Sequence, residues 1–173
     1  MSLLRVRSVP DPILREKAKR VRTVDNSVRR LVEDMIETMY EYQGVGLAAP
    51  QIYESFRIFV AGIESKPEDE QLSTTVFINP EVVALDSLKI EDWEGCLSIP
   101  DMRGRVIRSA NVRIRSLDRR GESFEKELRG YSSRVVQHEL DHLDGILFLD
   151  RMTSFESLSF LEEFERFWRN EVD

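Results

Sequence analysis

Both histidines of this chain fall inside nine residues, Gln137-His138-Glu139-Leu140-Asp141-His142-Leu143-Asp144-Gly145. Residues at i and i+4 share one face of a helix about one turn apart, so His138 and His142 can reach one metal ion only if this stretch is helical. The fold must therefore build a helix here and turn one face of it toward a cavity. Val135, Val136, Leu140 and Leu143 give the helix an apolar side, and Gly145 is a plausible stop. Glu139 sits one step round from His138, beside the metal, where a carboxylate can accept a proton from water. The stretch reads as the core of a metallohydrolase.

Two imidazoles leave a divalent metal under-coordinated, and a catalytic site needs a third protein ligand plus an open position. No histidine follows His142. Glu156 or Glu162 could serve, but both lie in a segment that reads as an ordinary amphipathic helix. Cys96, within Glu94-Gly95-Cys96-Leu97-Ser98, is the better ligand, because a thiolate binds zinc or ferrous iron strongly and offsets its charge. Taken alone, a single cysteine reads as a small buried hydrophobe. As the only cysteine of the chain, it can form no internal disulfide, and a reducing, cytoplasmic compartment is expected. A net charge of −7 argues against a general nucleic-acid binder, with Arg103 to Arg108 left as a local basic run. No apolar run is long enough for a membrane span, and the start of the chain lacks a secretory pattern.

The rest of the sequence supplies the frame. A length of 173 residues with 41% hydrophobic composition suits a single domain, 1–173, with its own core. Pro10-Asp11-Pro12 reads as a turn. A helix is expected from Asp25 or Asn26 on the spacing of Val28, Leu31, Val32, Met35, Ile36, Met39 and Tyr40, ending at Gln43-Gly44. Arg57 to Ala61, Thr74 to Asn79, Glu81 to Leu85, Arg105 to Arg108 and Asn111 to Leu117 read as strands, with Pro80 as a break and Glu64 to Ser73 as an exposed loop. Asp118-Arg119-Arg120-Gly121 turns the chain into a hairpin with Ser123 to Leu128. A terminal helix is expected from about Ser154 to Asn170, with Thr153 and Glu156 as a capping box and Phe155, Leu158, Leu161, Phe164 and Trp168 as a core-packing face. The fold class is α+β: antiparallel sheets around the central His-Glu-x-x-His helix, with a helix near each end. Gly44-Val45-Gly46-Leu47-Ala48-Ala49-Pro50-Gln51 is either a tight helix-to-strand connection or a cleft wall whose main chain pairs with an extended peptide.

Gly44 to Gln51, Glu94 to Ser98 and Gln137 to His142 stand in the order and at about the spacing of the three motifs of peptide deformylase. The chain resembles that family over nearly its whole length, Pro10-Asp11-Pro12, Ile99-Pro100 and Arg103 included. Ser133 stands where alanine is common in the family. The resemblance implies removal of the formyl group from the N-terminal formylmethionine of newly made proteins, with release of formate. It also implies Cys96, His138 and His142 as metal ligands, Glu139 as the base, and Gln51 with the main-chain N–H of Leu97 as oxyanion donors. The peptide is expected to lie between Val45-Gly46 and the strand around Gly95 and Leu97. Val45, Tyr131, Arg134 and Val135 would flank the methionine, the tips of Tyr131 and Arg134 staying wet.

Ligand chemistry suits zinc, whereas the resemblance implies Fe2+ as the working metal, with Zn2+, Ni2+ or Co2+ able to substitute. The expected partners are N-formylmethionyl nascent peptides near the ribosome, with no sequence-specific nucleic acid and no membrane. Three other readings carry their own tests. A zinc endopeptidase would keep its metal after Cys96→Ala. A non-catalytic metal-stabilised binding domain would ignore Glu139→Ala and needs a fourth ligand such as Glu94. A cysteine hydrolase would survive metal removal and leaves the histidine spacing without a purpose.

Overall fold

Helix α1 (Asn26–Glu41) starts where the Asp25 carboxylate accepts the N–H groups of Ser27 and Val28, which satisfies two donors that a helix end leaves free. Val32, Met35 and Met39 of its apolar stripe are buried, whereas Tyr40 turns outward. The structure, a computed structural model, describes residues 3–64 and 72–169. After α1 come β1 (Gly46–Ala48), a 3-10 turn (Ala49–Ile52), β2 (Ile58–Glu64), β3 (Leu72–Leu85), β4 (Lys89–Cys96) and β5 (Ile99–Ser109). They are followed by β6 (Asn111–Leu117), β7 (Ser123–Arg129), α2 (Gly130–Leu143), α3 (Phe148–Arg151), β8 (Ser159–Phe160) and α4 (Leu161–Phe167). The pairings are antiparallel and form two sheets, one ordered β1-β2-β3-β6-β7 and the other β4-β5-β8.

Strand β2 shows how the layers form. Ile58 and Val60 join Val32, Met35 and Met39 of α1, while Phe59, Ala61 and Ile63 face the opposite way, with Val136, Leu140 and Leu143 of α2. Alternate side chains leave opposite faces of a strand, so a strand covered on both sides reads as one apolar run. Phe59 stacks on Phe77 of β3 with ring centroids 4.5 Å apart. The smaller sheet has its own apolar cluster, in which Ile99 and Val106 meet Ile13, Leu14, Leu147 and Phe148. Helix α2 thus packs against β1 and β2 and also against β5, β6 and β7. It leaves this packing at Gly145, whose φ is 71°, and a Cβ there would lie 2.4 Å from the Arg15 carbonyl oxygen. Only glycine fits that exit.

Several expectations need correction. Pro80 does not end a strand: β3 runs through it with register shifts at Ile78/Glu81 and Val82/Ala84, and such bulges let a strand absorb a residue that cannot donate. Leu72 and Ser73 belong to β3 and pair with Glu64 and Ile63, while residues 65–71 of the expected loop lie outside the described residues. The expected terminal helix shortens to Leu161–Phe167, and Asn170 lies outside the described residues. Glu156 makes no capping box with Thr153; its N–H instead bonds the Ser154 hydroxyl. No residue of α4 is buried, and Phe155 is 67% exposed, so the terminal aromatic stripe is not core. Among the described residues, no helix is long and apolar enough to cross a membrane.

Candidate metal centre and substrate cleft

The five-stranded sheet, the β4–β5 hairpin and α2 each deliver one part of the site. Helix α2 presents His138 and His142 with ring centroids 5.0 Å apart. The β4–β5 hairpin turns between Cys96 and Ile99, which pair across it, and brings the Cys96 sulfur to 3.3 Å from His142 Nε2. One ligand atom from each of Cys96, His138 and His142 lies within 4.8 Å of the others. A tetrahedral ion with bonds of about 2.0–2.3 Å requires ligand atoms of this mutual closeness. Beside them, Glu139 Oε2 and His142 Nδ1 are buried with no protein hydrogen-bond partner among the described residues. His142 Nδ1 lies on the ring edge away from the cluster, whereas the unpaired Glu139 oxygen faces the cleft. Unpaired buried polar atoms are costly, so the Cys-His-His set with Glu139 beside it fits a cation and an accompanying polar group.

A buried ionic framework fixes His138. Glu94 accepts a bond from His138 Nδ1 at 2.9 Å, which leaves Nε2 for the cluster. Arg108 grips both oxygens of Glu94, at 2.8 and 3.0 Å, and Arg134 Nη1 donates to Oε1 at 2.9 Å. Arg108 also bonds Asp141 of α2, which in turn accepts from Arg151 at 2.7 Å. Burial alone would raise the Glu94 carboxyl, but Arg108 and His138 outweigh it and hold it well below the usual carboxylate range. Burial likewise pushes the Cys96 thiol up, yet the two imidazoles beside it bring it well below its ordinary value. Glu139 has no such cation at hydrogen-bond distance, and burial lifts it to about 7 against the pull of both histidines.

Gln51 is oriented by its own loop. Its Oε1 accepts the Ala48 N–H at 2.9 Å, so Nε2 points into the site, 3.1 Å from the Ser98 hydroxyl and 3.7 Å from the Cys96 sulfur. Gly46 explains the glycine-rich approach, because a Cβ there would fall 2.2 Å from Glu139 Oε1. The stretch from Gly44 to Gln51 is both a helix-to-strand connection and a wall of the cleft.

One cavity of about 620 Å³ gathers Val45, Gly46, Gln51, Gly95, Cys96, Leu97, Tyr131, Arg134, Val135, His138 and Glu139; His142 lies behind this lining, joined to it through Cys96. Tyr131 is half exposed, as expected. Arg134 is not: it is buried, and its guanidinium also donates to the carbonyls of Val106 and Ile90. The idea of a wet Arg134 tip is therefore wrong, because the carbonyls of Ile90, Asp92 and Val106 and the carboxylate of Glu94 hold it. Glu94 is engaged as the partner of His138 and two arginines, and it is not one of the clustered ligand residues. In the basic run, Arg108 is buried in this network rather than presented to a polyanion. Sequence reasoning missed Arg108, Asp141 and Arg151 as supports; the one local signal was Asp141 standing between Leu140 and Leu143 on a helix whose apolar side must be covered.

A thiolate and two imidazoles around one point, with a buried carboxylate in the same cleft, define a metallohydrolase type of centre on an antiparallel α+β frame. Residues 3–157 match the polypeptide deformylase family. The peptide deformylase of Dictyoglomus turgidum is 42% identical over 157 residues, covering 91% of this chain and 97% of its own. The crystal structure of peptide deformylase from Thermotoga maritima superposes with a TM-score of 0.83 at 41% identity, over 89% of this chain and 100% of that one. A class I type b peptide deformylase from Acinetobacter baumannii, solved with Met-Ala-Ser bound, gives 0.82 at 37% identity over 87% and 99%. The chain belongs to the polypeptide deformylase family.

Proposed function

We propose that Cys96, His138 and His142 hold a divalent cation, with Glu139 acting as the base of a deformylation. The activity itself goes with the family: the enzyme removes the N-formyl group from the N-terminal formylmethionine of newly synthesised proteins and releases formate. When bound, the cation lowers the pKa of water and polarises the formyl carbonyl. Glu139 accepts the water's proton and returns it to the departing amine. Gln51 Nε2 and the main-chain N–H of Leu97 donate to the developing oxyanion, each worth a few kcal/mol in comparable sites. Val45-Gly46 and Gly95-Leu97 pair the main chain of an extended substrate from two sides. Val45, Tyr131 and Val135 flank the methionine, and the stem of Arg134 closes the wall behind it. Met-Ala-Ser in the Acinetobacter relative supports a peptide that begins with methionine.

The working metal is assigned as Fe2+, with Zn2+, Ni2+ or Co2+ as substitutes, on the resemblance to the family; the Cys-His-His set suits zinc equally well. Residues 1–173 act as one catalytic domain. A nascent-chain substrate supports a cytoplasmic enzyme working near ribosomes. The observation that carries the catalytic assignment is the meeting of Cys96, His138 and His142 beside an unpaired Glu139 oxygen. The test is formate release from formyl-Met-Ala by anaerobically purified, iron-loaded enzyme, alongside Glu139→Ala, with metal content measured in both. The variant is expected to keep its metal and lose about 10²–10⁴-fold in rate. A folded, iron-loaded wild type that releases no formate would overturn the proposal.

A further inference from the structure

The match to the family ends at residue 157, but the cavity does not. Leu161 and Phe164 line it together with Trp93 and Gly95. They stand at i and i+3 on α4, hence on one face, and they are the two residues of that helix that are not exposed. The segment is pinned by β5: Met102 and Arg103, the latter also a lining residue of the cavity, pair with Phe160 and Ser159 of β8, and the Arg105 N–H donates to the Ser157 hydroxyl at 2.9 Å. Phe164 meets Trp93 edge-on at 4.8 Å, and the Arg105 guanidinium lies over the Trp93 ring at 5.0 Å. Seven uncapped residues that bury no side chain would not hold a helix by themselves. Their place is set by β5 and Trp93, and the face so placed is apolar.

We propose that Leu161 and Phe164 form a specificity wall that receives an apolar side chain at the third residue of the formylated peptide; this rests on the deformylase reading above. Distance and alternation select the third residue. Trp93 precedes Cys96 by three positions in β4, about 10 Å along a strand, and the third residue of an extended peptide stands about as far from its formyl group. Side chains of an extended chain alternate, so residue three leaves on the same side as the methionine and residue two on the other. The methionine surroundings and the Leu161–Phe164 wall belong to the same cavity.

The test compares kcat/KM for formyl-Met-Ala-Leu, formyl-Met-Ala-Ser and formyl-Met-Ala-Asp, each divided by the value for formyl-Met-Ala on the same preparation. Wild type is expected to favour Leu over Ser by about fivefold, through KM, as partial burial of one apolar side chain allows. Leu161→Ala with Phe164→Ala should bring that ratio near one. Leu161→Lys, whose new cation faces the same space, should favour Asp over Leu, a gain that loosening of the segment does not produce. Metal content and circular dichroism accompany each variant. Equal rates on the Leu and Ser peptides in wild type, or an unchanged preference order in Leu161→Lys, would overturn the wall while leaving deformylation intact. A wild type inactive on all four peptides would overturn both.

Discussion

Helices α2 and α4 look alike in sequence, each with apolar residues at helical spacing among charged ones, yet they sit in opposite environments. Ten residues of α2 are buried, including Glu139, Asp141 and His142, whereas α4 buries none. The difference lies in what each can be packed against. Helix α2 enters between two sheets, and its Arg134 and Asp141 meet opposite charges delivered by β4 and β5. Helix α4 leans on one tryptophan and the rim of the cleft. Periodicity identifies the face of a helix, but the partner that covers it is decided elsewhere in the chain.

The contrast breaks most visibly if the ionic framework under α2 is removed. Arg108 is 5% exposed and joins Glu94 to Asp141. Arg108→Ala leaves two carboxylates buried without their shared cation, a change that typically costs about 3–5 kcal/mol. For a chain of this size that lowers Tm by about 6–20 °C, measurable by calorimetry. A shift below about 2 °C would mean that α2 is held by its apolar face alone. Next in size is Glu94→Gln, which keeps an acceptor for His138 Nδ1 but removes the charge that orients the ring. Metal affinity, measured by competition with a chelator, is expected to fall by about 10–100-fold. An unchanged affinity would show that the ring is positioned by packing, for instance against Phe148, whose ring lies 6.4 Å away.

What the sequence disclosed and what it hid follow the same division. The i, i+4 histidines fixed α2, and the absence of a later histidine pointed to Cys96. Asp25 marked the start of α1, and Asp118 to Gly121 marked the β6–β7 hairpin, because these are local signals. The first half of strand β4 escaped notice: Lys89-Ile90-Glu91-Asp92 is exposed on both sides, so no alternation records it. The Glu94–Arg108 contact was hidden for a related reason. It depends on the β4–β5 register, in which Ile90 pairs with Arg108 and Glu94 with Gly104, and register follows from pairing rather than from either strand alone. Pro80 misled because the register shift between Ile78 and Glu81 absorbs it within β3.

The smallest expected effect sharpens the contrast from the other side. Phe155 lies in the turn before β8 and is 67% exposed, with no aromatic partner among the described residues. Its position in the apolar stripe would make Phe155→Ala a core deletion if the terminal segment were one long packed helix, and losses of about 3–5 kcal/mol follow from such deletions. In the observed fold the ring covers little, so the change in stability should stay within about 0.5 kcal/mol, and deformylation of formyl-Met-Ala should be unaffected. Chemical denaturation distinguishes the two sharply, since the m-value stays fixed and only the midpoint reports the loss. A midpoint shift worth several kcal/mol would mean that the segment folds inward in solution and that α4 resembles α2 after all. A negligible shift leaves the terminal segment as a surface element whose inward pair, Leu161 and Phe164, serves the cleft rather than the core.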